Sequence, residues 1–227
     1  MNILPPPLFR RWVLHCAAGE LLGIGTAGAM AATYLLVGGE PQLVSERLTF
    51  LGLMMAAGSL EGYLLGWFQA RVLRELIPGL SVRRWVGLTV LIAFLGWLAG
   101  MLPSTMLVDA TRTPTAGGPD LSQSPGAFLA LAAGAGLVVG ALFGWFQWFE
   151  LRRHVRRAGR WVWANALGWA AALTWIYAAA SWPDAETPVG AVIASGLAGG
   201  SLAGLSLGLV TGLFLRRMLP DVRTPAA

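Results

Sequence analysis

The stretch GSLEGYLLGWFQARVLR, Gly58 to Arg74, places three glycines four residues apart and then ends its apolar run at arginine. Glycines at that spacing share one side of a helix. Lacking side chains, they let a second backbone approach closely, which matters most in lipid, where no hydrophobic drive pulls helices together. The phrase recurs. Gly136, Gly140 and Gly144 precede Leu151-Arg152, and Gly200, Gly204 and Gly208 precede Leu215-Arg216, at the distance that separates Gly66 from Leu73-Arg74. GWFQ itself returns at Gly144 to Gln147.

The rest of the chain sets these phrases in a membrane. Of its 227 residues 56% are hydrophobic and 12% charged, about half the usual globular share of charge. Taking about 20 apolar residues as one span, helices are expected near 12–37, 47–72, 84–106, 126–150, 160–182 and 189–215. The expected fold is therefore all-α and integral to the membrane, one domain over 1–227 with six transmembrane helices. All basic side chains are arginine. They collect between the second and third spans (Arg71 to Arg84), between the fourth and fifth (Arg152 to Arg160) and at the termini (Arg10, Arg11, Arg216, Arg217, Arg223), with Arg47 and Arg112 outside the pattern. By the positive-inside rule that face is cytoplasmic, so both termini are expected inside.

Glu40, Glu46, Asp109, Asp120, Asp184 and Glu186 gather on the other face. Trp12, Trp67, Trp85, Trp145, Trp148, Trp161 and Trp163 are expected at the cytoplasmic interface, where an indole finds both apolar and polar surroundings. The paired arginines of FRRWVLHC make a weak targeting signal, because Glu20 interrupts the apolar run behind them. A first transmembrane helix is the expected reading. Thr111 to Gly126, rich in Pro, Gly, Ser and Thr, is expected to be a flexible external loop.

The odd spans each open with Arg-Trp-Val: Arg11-Trp12-Val13, Arg84-Trp85-Val86 and Arg160-Trp161-Val162. Three copies of one helical hairpin are thus expected, over about 8–80, 81–157 and 158–222. All three enter from the same side, which makes them parallel repeats about an axis along the membrane normal.

The segment GWFQWFELRRHVRRAGRWVWANALGWA, Gly144 to Ala170, resembles the repeated Gly-x-x-Gln-Trp-x-x-Leu-Arg-Arg signature of a group of bacterial integral membrane proteins. The match is close over the fourth and fifth spans and loose over the second and third; the first and sixth join it only through the repeat. What the resemblance implies is a bacterial polytopic protein of the cytoplasmic membrane. It carries no activity with it.

Repetition also separates scaffold from site, because what all copies share builds the fold. Glu61 aligns with Val139 and Ala203, and Glu20 with Trp97 and Trp169, so both carboxylates belong to the first hairpin alone. From the helical rise, Glu20 lies roughly 13 Å above Arg11 and Glu61 roughly 15 to 20 Å above Arg71 and Arg74. Both are expected near mid-membrane, where two carboxylates without an arginine cannot both stay charged. Glu20 and Glu61 are the candidate proton or cation site, weighed against a neutral acid that only holds helices together.

Other chemistry finds little support. His15 and His154 have no partners at metal spacing; neither metal nor cofactor is expected. GIGTAG, Gly23 to Gly28, fits a dinucleotide fingerprint in letters only, since it lies inside a span without the strand that motif requires. No catalytic triad or phosphate loop is present, so enzymatic activity is not expected. Scattered between spans, the arginines suit topology and anionic lipids, or docking to a membrane protein partner, and not nucleic acid. Two functions remain: a non-enzymatic membrane scaffold or accessory subunit, and a small proton-linked transporter or channel that uses the Glu pair.

Overall fold

A computed structural model of the chain describes residues 5–106, 124–184 and 186–222. Most of the loop expected over 111–126 lies outside these residues, as do Asp109, Arg112, Asp120 and Arg223. Six long helices account for nearly all of what is described: α1 (Pro6–Gly38), α2 (Val44–Leu76), α3 (Val82–Met106), α4 (Pro125–Leu151), α5 (Arg160–Ser181) and α6 (Val189–Met218). Five of them are long and apolar enough to cross a membrane. The sixth, α5, is the shortest at 22 residues and spends four positions on tryptophan and one on Asn165.

Helices α1 and α2 outrun their expected spans by several residues, while α5 stops at Ser181, one residue short of its own. Helix α1 begins at Pro6, with proline in the first turn, where a missing N–H costs no hydrogen bond. Its 33 residues extend about 50 Å at 1.5 Å per residue, well beyond a hydrocarbon core of about 30 Å. The surplus is what apolar run length does not measure.

Each helix packs on its neighbours in sequence, and α6 closes on α1, so the six form a ring. Ile77, Leu80, Val155, Ala158, Met218 and Leu219 join one apolar cluster with Trp12. The N-terminus, the two arginine-rich connections and the end of α6 thus meet at one end of the bundle. Val155 and Val222 pair there as an isolated antiparallel bridge. Arg11 donates two hydrogen bonds of 2.9 Å to Glu75 at the same end.

The glycine ladders of the even helices decide how close the ring can draw. A Cβ added at Gly144 would lie 2.6 Å from the Val162 Cα of α5, one at Gly62 2.6 Å from the Ala93 Cβ of α3, and one at Gly204 2.6 Å from the Ala17 Cα of α1. None of those distances tolerates a carbon. At Gly140 the obstruction is the Asn165 carbonyl oxygen. Gly25, Gly28, Gly100, Gly134 and Gly196, by contrast, lie on the exposed outer face, with open space where a Cβ would go.

Replacing Gly140 with alanine is expected to destabilise the protein by about 1–3 kcal/mol through overpacking. The same change at Gly134, facing open space, should be neutral. Thermal unfolding of the two variants in detergent, side by side, checks the contrast.

Candidate functional site

Near the arginine-rich end, three odd-helix tryptophans turn inward. Trp12, Trp85 and Trp161 have no exposed surface. This corrects their expected place at the lipid interface. Trp161 stands between the other two, its ring centroid 5.9 Å from that of Trp12 and 5.8 Å from that of Trp85. An indole buried inside an apolar bundle is costly unless its N–H finds an acceptor there. Each does so on the preceding even helix around the ring. Trp12 Nε1 donates to Thr211 Oγ1 at 3.0 Å, Trp85 Nε1 to Gln69 Oε1 at 3.3 Å, and Trp161 Nε1 to Gln147 Oε1 at 2.8 Å.

The two glutamines of the GWFQ phrases then join up. Gln147 Nε2 donates to Thr89 Oγ1 at 3.0 Å and to Gln69 Oε1 at 3.3 Å, while Gln69 Nε2 reaches Cys16 Sγ at 3.8 Å. A hydrogen-bonded layer therefore fills the bundle between the arginines and the carboxylates. Trp67, Trp145, Trp148 and Trp163 keep part of their surface exposed, with Arg71 held 4.6 Å over the Trp67 ring and Arg152 4.6 Å over that of Trp148.

The carboxylates lie on the far side of this layer. Helices α1 and α2 run antiparallel in close register: a Cβ on Gly19 would meet the Leu65 Cα at 2.9 Å, and one on Gly23 the Glu61 Cβ at 2.9 Å. Glu20 falls between those levels and packs against α6, where a Cβ at Gly204 would lie 2.9 Å from its own Cβ. Both side chains are buried, and the two are close enough to act on each other electrostatically.

Their surroundings differ. Glu61 Oε2 accepts a hydrogen bond from Trp97 Nε1 of α3. Neither oxygen of Glu20 has a partner. The packing also corrects the alignment of Glu20. Gly62, Gly140 and Gly204 face Ala93, Trp169 and Glu20, so its counterpart on α3 is Ala93, and Trp97 lies one turn further along. Trp169 stacks on Phe143 at 4.7 Å, and its N–H is buried without an acceptor.

One buried carboxylate escaped notice in the sequence. Glu150, 2% exposed, ends α4 and accepts the Ser81 backbone N–H at 2.8 Å, with His154 Nε2 3.1 Å away. It ties the α2–α3 connection to the α4–α5 connection. The i,i+4 spacing of Glu150 and His154 was the available signal.

Among the described residues no three of His, Cys, Asp and Glu come together as a metal site would require. Comparison with protein-family models, with curated proteins and with solved structures finds no match.

Trp161→Phe keeps the ring and removes the donor, leaving Gln147 Oε1 buried without its bond. A loss of about 1–3 kcal/mol is expected. Trp163→Phe, on the exposed side of the same helix, should change stability little. Denaturation followed by tryptophan fluorescence distinguishes the two.

Proposed function

We propose that this chain is a non-enzymatic scaffold or accessory subunit of a bacterial cytoplasmic membrane, with six spans in three hairpin repeats and both termini inside. The observation that carries the reading is the hydrogen-bonded layer of Trp12, Trp85, Trp161, Gln69, Gln147 and Thr211. It occupies the bundle interior and makes the arginine-rich end a firm platform instead of a gate.

The repeat is supported by the same six residues. Gln69, Gln147 and Thr211 each stand three residues past the last ladder glycine of their helix, and each takes the indole of the next odd helix around the ring. Orientation is supported by the arginines gathered at the end where both described termini lie. Exposed Arg71, Arg74, Arg83, Arg84, Arg152 and Arg153 would present guanidinium groups at headgroup level, to anionic lipids or to an acidic face of a membrane protein partner.

A second reading, a small proton-linked transporter, is favoured by Glu20 alone. A buried carboxyl without a hydrogen-bond partner is expensive inside a membrane, and such residues commonly serve ion movement.

Proton flux in proteoliposomes under an imposed potential separates the two. The scaffold reading predicts that the wild type matches both protein-free vesicles and the Glu20→Gln, Glu61→Gln double variant. Wild-type flux that disappears in the double variant would overturn it in favour of the transporter.

A further inference from the structure

We propose that Glu20 and Glu61 together bind one proton, and that this proton exchanges with the acidic end of the protein and not with the arginine-rich end. The inference does not depend on whether anything crosses the membrane.

The choice of ligand follows from the atoms present. Glu61 already accepts the Trp97 N–H, which supports negative charge on that side of the pair. Glu20, fully buried with no donor to either oxygen, has nothing to support a charge of its own. The ionisable groups facing it are Glu61 from α2 and Cys16 one turn below on α1; α6 meets it with Gly200 and Gly204. A bare calcium or magnesium ion requires about six or more oxygen ligands, and this setting of glycine, leucine and indole supplies two carboxyl groups. A proton needs only one. Bound to an oxygen of Glu20 it neutralises that group, and the resulting O–H becomes a donor of the kind the pair lacks.

Sidedness follows from what lies above and below. Toward the arginines, a proton leaving the pair meets Cys16, Gln69, the buried indoles, whose N–H groups are all committed, and the Thr89 and Thr211 hydroxyls, which donate to the Trp85 and Leu207 carbonyls. An indole N–H has no lone pair with which to relay a proton. Toward the other end the barrier is thinner. Ala27, Met54 and Ala57 form a small cluster, with Met30, Ala31, Phe50, Trp97 and Met101 only partly buried around it. A surface groove lined by Thr26, Met30, Thr33, Tyr34 and Glu46 begins one turn beyond Gly23, the residue that packs on Glu61.

The test is infrared spectroscopy of the full chain in proteoliposomes of known orientation while the external pH is stepped. The expected result is a carbonyl band of a protonated carboxyl group that is lost in Glu20→Gln. In the wild type it should follow external pH when the acidic end faces the bath and ignore it when the arginine-rich end does. A wild-type spectrum without such a band, or with the same band as Glu20→Gln, overturns the site. A band that follows pH from the arginine-rich end overturns the sidedness. The wild-type response needs no variant, so misfolding of Glu20→Gln would not obscure it.

Discussion

Inside a bilayer no water is available to satisfy a stray donor, so a polar group drawn into the bundle is costly unless it finds its partner there. The indoles of Trp12, Trp85 and Trp161 meet that demand on neighbouring helices, and in doing so they fix which helix is neighbour to which. Trp12 is the most telling, because its acceptor, Thr211, is 199 residues away in the chain. That bond, with the fit of Gly204 and Gly208 against Ala17 and Val13, closes α6 onto α1. The arginines are then held together at one end as a consequence of ring closure.

Glycine and tryptophan have complementary roles in this arrangement. The ladders bring backbones to distances that exclude a Cβ, and the large side chains fill the interior that the ring encloses. At the arginine-rich end both operate together, giving a tight hydrogen-bonded layer. At the other end Gly58 and Gly199 still exclude a Cβ, but the buried positions thin out. Glu20 and Glu61 sit near this change in packing, which is what gives the pair a tight side and a loose one.

Much of this was legible in the sequence, in unequal measure. The helices could be read because twenty apolar residues have few other uses, and the glycine ladders because a period of four survives in glycine-rich text. The isolation of Glu20 and Glu61 in one hairpin was visible as well. Burial of the three tryptophans was not, since Arg-Trp at the start of a span describes an interfacial anchor and an inward-facing indole equally well. Only the acceptors on other helices decide, and a linear reading cannot pair Trp12 with Thr211. The offset of Trp97 is different in kind, because the sequence already held the register: Glu20, Ala93 and Trp169 stand equally far past the tryptophans of the three Arg-Trp-Val openings. Glu150 was overlooked because its burial depends on the α2–α3 connection folding over it.

The account stands or falls on the sealed indole layer, and hydrogen exchange at tryptophan Nε1 tests it most directly. With nitrogen-labelled tryptophan in lipid nanodiscs moved into deuterated buffer, the Trp12, Trp85 and Trp161 signals should persist long after those of exposed Trp163 and Trp182 have gone. Exchange of the three inner indoles as fast as those two would contradict the layer, and with it the closed end of the ring.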